Sequence, residues 1–103
     1  MKDHRILYLS KGEVAETGLT MPEVIEAVEQ AFREKGEGRV EMPPKPGVHS
    51  RPNAFIHAMP AYIAATGALG VKWVAGYPEN SKRGLPYISG LVVLNDPDTG
   101  LPL

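Results

Sequence analysis

Three basic side chains stand in settings where a basic side chain needs a reason. Lys72 interrupts the strand-like run Val71-Lys72-Trp73-Val74. An ammonium there either lies on a sheet face open to water, its stem along apolar neighbours, or sits in a polar pocket. A pocket lysine can hold a carboxylate as a point charge, or exchange a proton once its pKa is lowered by desolvation. Lys45 is caged by Pro43, Pro44 and Pro46. Prolines on both sides reduce the freedom of the unfolded segment, so this loop can fix a side chain at small entropic cost. The plain alternative is an exposed loop lysine. His57 shares a predicted strand face with Phe55 and Met59, where it is either a satisfied strand residue or an acid–base group working near neutral pH.

Other chemistries find little support. Cysteine is absent, which removes disulfides, thiol catalysis and cysteine metal sites. His4, His49 and His57 show no HxH or HExxH spacing. No serine sits on a strand-to-helix elbow with a readable base. Gly67-Ala68-Leu69-Gly70-Val71-Lys72 fits neither GxGxxG nor GxxxxGK, and it opens a strand rather than a helix. The run Glu79–Gly84 reads as a polar loop, and His49 and Arg51 as solvated loop residues.

The elements that must position these residues follow from pattern. Arg5–Ser10 is a strand candidate, rich in branched and aromatic residues. Ser10 and Glu13 form an S-x-x-E capping signature for a brief helix over Lys11–Thr17, ending at Gly18. Thr20, Pro22 and Glu23 open a second helix, which Gly36 stops. Its apolar stripe is Val24, Ile25, Val28, Ala31 and Phe32, expected to pack on a sheet. Most of the ten prolines fall after residue 40, which favours strand edges and turns there. Strands are expected at Arg39–Met42, at Ala54–Ile63 with an interruption at Pro60, at Ala68–Ala75 and at Tyr87–Asn95. The last has a continuous apolar end, which predicts cover on both faces. Asp96–Gly100 is a turn, and Leu101–Leu103 begins another element.

The chain has 103 residues, 43% apolar and 22% charged, with a net charge of -1: one small globular domain with no basic field for nucleic acid. No apolar run is long enough to span a bilayer, and the N-terminus lacks the apolar core of a signal peptide. A cytoplasmic location is the expectation. The fold class expected is α+β, with N-terminal helices on a mostly antiparallel or mixed sheet. The three residues after the final turn are too few for a strand, so the chain reads as the front of a longer protein, its fold incomplete without the rest.

Read together, "ILYLS", "TMPEVIEAVEQAF", "MPPK", "HAMPAY", "GVKWVAGYPEN", "KRGLP", "ISGLVVLND" and "TGLPL" resemble the N-terminal portion of the ornithine cyclodeaminase/mu-crystallin family, in order and spacing over nearly the whole chain. The resemblance implies an NAD- or NADP-dependent oxidoreductase or lyase of amino-acid metabolism. Cyclodeaminases, alanine dehydrogenases and ketimine reductases are its members. It implies that residues 1–103 are the N-terminal part of a substrate-binding and dimerisation domain, without the Rossmann domain that holds the cofactor, and that the protein is a homodimer. Lys72 then matches a pocket lysine that grips a small amino-acid or imino-acid substrate and serves in catalysis. Lys45 matches a basic residue on the substrate carboxylate, and His57 lies at the substrate side chain. Tyr87 and Ser89 are the cofactor-contact candidates. The isolated segment is expected to be inactive. A module that only dimerises or binds a small carboxylate is the alternative.

Overall fold

A computed structural model describes residues 3–103. Ser10 caps α1 (Lys11–Glu16), its side chain accepting from the Glu13 N–H. Gly18 follows at φ 76°, in the left-handed region where glycine is unstrained. Thr20 and Glu23 close a full capping box on α2 (Met21–Gly36): the Thr20 hydroxyl accepts from the Glu23 N–H, and the Glu23 carboxylate accepts from the Thr20 N–H at 2.8 Å. The Thr20 N–H, and after it the Thr20 hydroxyl donating at 3.0 Å, hold the Glu23 carboxyl below its ordinary range. Gly36 is the last helical residue rather than the stop. Glu37 caps the helix and Gly38, at φ 74°, reverses the chain.

A carboxylate clasp ties the end of α2 to the first strand. Arg39 donates from Nε and Nη2 to Glu34 at 2.6 and 3.0 Å, and also pairs with Glu37. Glu34 is 8% exposed, yet its carboxyl is held below the ordinary value, first by the Arg39 hydrogen bonds and against the cost of burial.

The sheet contains β1 (Val40–Glu41), β2 (Gly47–Val48), β3 (Phe55–Ile63), β4 (Ala68–Gly76) and β5 (Ile88–Leu94). All pairings are antiparallel, in the order β1-β3-β4-β5, with β2 on the same edge of β3 as β1. The class is α+β, as expected. A 3₁₀ helix, Pro78–Arg83, joins β4 to β5 where the sequence suggested a plain loop. The Asp96 carboxylate accepts from the N–H groups of Asp98 and Thr99 and fixes the final turn, which lowers its pKa. Pro102 then bridges back to Asn95.

Pro60 does not interrupt β3, which pairs with β4 at every position from Phe55 to Ile63. The reason is direction. The Ala58 N–H points to the β1/β2 edge, where it donates to Pro46 O at 3.0 Å. Two residues on, the donor that Pro60 lacks would face that same edge, so no β3–β4 bond is lost.

Arg5–Ser10 is extended but not a strand. Its one backbone bond to a distant segment among the described residues, Leu7 N–H to Leu103 O, is not a ladder. The apolar surfaces are also more open than the pattern predicted. Val24 and Ala31 of the α2 stripe are half-buried, but Ile25 and Phe32 are exposed, as are Leu91, Val92 and Leu94 of β5. The accessible surface is 8490 Å². A closed monomer of this mass would show about 5,700 Å². Cover for both faces of β5 is not supplied by residues 3–103.

Candidate functional site

Register decides which side chains share a face. Phe55, His57, Met59 and Ala61 of β3 stand opposite Gly76, Val74, Lys72 and Gly70 of β4, which in turn stand opposite Ile88, Gly90, Val92 and Leu94 of β5. Opposed residues of an antiparallel pair point the same way. Lys72 therefore lies directly across from Met59, with His57 as its diagonal neighbour, about 7–8 Å away by backbone geometry. Gly70, Ala61, Met59, Val92 and Leu94 make a shallow apolar hollow of about 210 Å³ beside Lys72. Gly70 keeps that floor low, because a Cβ there would run into the Val93 carbonyl. Lys72 is exposed and has no carboxylate partner among the described residues.

Lys45 lies on an irregular edge of β3. Five edge residues, 42–46, span the distance covered by four on β3, 58–61. One extra residue on an edge is a bulge, and the proline run absorbs it. The Pro46 carbonyl, bonded to the Ala58 N–H, carries the β2 register one step back from Gly47, which stands opposite His57, and Lys45 is the next residue along this edge. Lys45 thus belongs to the segment that borders β3 on one side, and Lys72 to β4 on the other. Lys45 is exposed and also lacks a carboxylate partner among the described residues.

His57 is half-buried and held by shape. Its ring stacks on Phe55, centroids 4.2 Å apart and planes 20° from parallel. A Cβ on Gly47 would collide with the imidazole, and one on Gly76 would collide with the Phe55 ring. The two glycines, each directly opposite an aromatic residue, let the rings lie across neighbouring strands.

Tyr87 and Ser89 are not part of this cluster. Ser89 stands opposite Ala75, on the face of Trp73 and Leu91, and Tyr87 continues that register opposite Tyr77, to which its carbonyl is hydrogen-bonded. Alternation along β5 sends both away from Lys72.

Sequence reasoning missed a second concavity of about 590 Å³, at the strand ends. The 50–54 loop and the 3₁₀ helix form its walls. They are 24 or more residues apart, and each alone reads as a polar loop. The one available signal was Pro78 followed by Gly84, the start and stop of a short helix.

The described residues contain no helix long and apolar enough to cross a membrane, and no cluster of metal-ligating side chains. The model of the family described as "Ornithine cyclodeaminase/mu-crystallin family" matches residues 6–103. The chain is 45% identical over 98 residues to the nodulation efficiency protein NfeD of Rhizobium meliloti, covering 95% of this chain and 31% of that protein. It resembles Thermococcus litoralis Delta(1)-pyrroline-2-carboxylate reductase, solved with NADH and L-proline, at 45% identity and a TM-score of 0.78, over 82% of this chain and 27% of that one. An archaeal alanine dehydrogenase dimer with bound NAD is 41% identical with a TM-score of 0.85, over 95% of this chain and 29% of that one. The chain thus spans about a third of the length of such relatives.

Proposed function

We propose, from the premise that this chain belongs to the ornithine cyclodeaminase/mu-crystallin family, that it is the carboxylate-gripping segment of an amino-acid or imino-acid oxidoreductase or cyclodeaminase. Residues 1–103 are read as the N-terminal part of its substrate-binding and dimerisation domain. The observation that carries the reading is Lys72 beside an apolar hollow, on the face of Met59 and His57, with Lys45 in the edge segment on the other side of β3. Two ammonium groups without local counter-charges suit a small anion with an apolar remainder.

The dinucleotide finds no cradle in this segment. No glycine-rich strand–turn–helix occurs among the described residues, so the diphosphate falls to a Rossmann domain elsewhere in the complete protein. When bound there, NAD or NADP supplies hydride transfer. The work left to this chain is orientation. Lys45 and Lys72 hold the substrate carboxylate by their Nζ atoms, and the hollow takes the Cα and side chain. His57, stacked and half-buried, borders the bound substrate from the row on the other side of Lys72 from the hollow. Lys72 Nζ is also placed to give or take the proton at the substrate nitrogen. Lysine at position 45 gives a point charge where arginine would give a fork.

Relatives named for imine reduction and amino-acid dehydrogenation support an enzyme over a module that only binds. The dimer among them, together with the open apolar surface here, supports a homodimer. The test is a substrate screen on the complete gene product with ornithine, alanine, proline and cyclic ketimines, followed by reduced-nicotinamide absorbance. Turnover of at least one is expected. No turnover with any of them, in either direction, contradicts the proposal.

A further inference from the structure

The cleft at the strand ends has the marks of a site complete within this segment. Ala54, 2% exposed, closes its floor, in contrast to the open sheet faces. Its rim is fastened from both sides. The Ser50 hydroxyl and the Tyr77 hydroxyl share a hydrogen bond of 2.7 Å, and the Asn80 amide donates to Pro86 O at 3.1 Å. Gly84, at φ 69°, stops the 3₁₀ helix and fixes the wall that carries Arg83. The volume, about 590 Å³, falls within the usual range for small-molecule sites.

Charge points to the ligand. Arg51 and Arg83 line the cleft, one from each wall. Arg33 and Arg39 pair with carboxylates, but Arg51 and Arg83 have none within 4 Å among the described residues. The lining carboxylate, Glu79, pairs with Lys82 at 2.6 Å, which offsets its charge. Two guanidinium forks, with the one hydroxyl proton that the Ser50–Tyr77 bond leaves free, match an anion with three or four acceptor oxygens better than a single carboxylate.

This cleft is separate from the lysine face. Ala54 and Tyr77 extend the β3–β4 register one step beyond Phe55 and Gly76, and alternation puts them on the side away from Lys72. The Phe55–Gly76 row is also four residues from the Met59–Lys72 row, about 13 Å along the strands. A small amino acid cannot occupy both places.

We propose that the cleft between residues 50–54 and 78–83 binds a phosphate group between Arg51 and Arg83, carried by a small phosphorylated compound or by a nucleotide. The inference does not depend on the role given to Lys72. The test is a titration of the protein, followed by amide NMR shifts, with inorganic phosphate, ADP and malonate at constant ionic strength. Saturable shifts confined to residues 50–54 and 77–84 are expected with phosphate or ADP. They should weaken at least tenfold in Arg51→Gln and in Arg83→Gln, with β3 and β4 amides unmoved as the check on folding. ADP binding tenfold or more above phosphate identifies a nucleotide as the source, and equal binding a simple phosphate compound. Shifts that grow without saturation, that malonate reproduces at equal concentration, or that survive both substitutions overturn the proposal.

Discussion

His57 and Gly47 stand directly opposite each other on β3 and β2, and the imidazole covers the spot where a side chain on residue 47 would begin. An alanine there must push the ring off Phe55 or push the β2 edge away. Overpacking of this kind costs about 1–3 kcal/mol. Gly47→Ala is expected to lower the urea midpoint by that order, and to change the His57 ring shifts in NMR while those of Trp73, on the other face, stay put. A variant of unaltered stability and unaltered His57 signals would show that the ring has room to spare.

Lys45 and Lys72 come from the segments that border β3 on its two sides. If both hold one carboxylate, Lys45→Ala in the complete protein should raise KM for the substrate about tenfold or more, with a smaller effect on kcat, because one charge-assisted contact is worth roughly 1.5–3 kcal/mol. Lys45→Arg should recover most of the affinity. Steady-state kinetics at saturating cofactor reads both.

The direction of the missing donor at Pro60 sets a contrast between neighbours. Pro60→Ala breaks no ladder bond and restores freedom to the unfolded chain, so a small loss of about 0.4–1 kcal/mol is expected. Ala61→Pro removes a donor that points toward β4, where Ala61 faces Gly70, and should destabilise several-fold more. Denaturant unfolding of the two variants decides. A gain in stability for Pro60→Ala would show that the proline does strain β3.

Glu34 gives a pH dependence of definite sign. Its folded pKa lies below the ordinary 4.5, first because Arg39 hydrogen-bonds the ionised form. The stabilisation is therefore full above the unfolded value and is lost as pH falls through the folded one. Asp96, held low by the Thr99 and Asp98 N–H groups, acts in the same direction. Helical circular dichroism in fixed urea should fall from pH 5 toward pH 2, and Glu34→Gln should flatten part of that fall by lowering stability at pH 7. Identical profiles for the two proteins would mean the clasp does not contribute.

Local chemistry made much of this fold readable. The cap at Ser10, the box at Thr20–Glu23, the long strand ending at Ile63, and the turn at Asp96 are each set by residues within a few positions of one another. Lys72 and His57 announced themselves because a basic group in an apolar strand needs explaining. Their common face was implicit in alternation, but it required the β3–β4 register, which depends on the hairpin turn ending at Gly67. Nothing local could place Lys45 beside β3, since that depends on an edge with one extra residue between Glu41 and Gly47. Pro60 was misleading for the same reason: composition shows a missing donor but not where the donor would have pointed. Arg5–Ser10 has strand-forming residues and, among the described residues, one backbone bond to a distant segment; propensity without a paired neighbour does not make a strand.

Lys72 is where the account is most exposed. In the complete protein, kcat/KM and the dissociation constant for reduced nicotinamide should be measured side by side for the parent and for Lys72→Ala. The account predicts a loss of at least a hundredfold in kcat/KM with cofactor affinity changed less than threefold. Parent-like turnover in the variant would contradict it, and would make Lys72 a surface lysine on an open sheet.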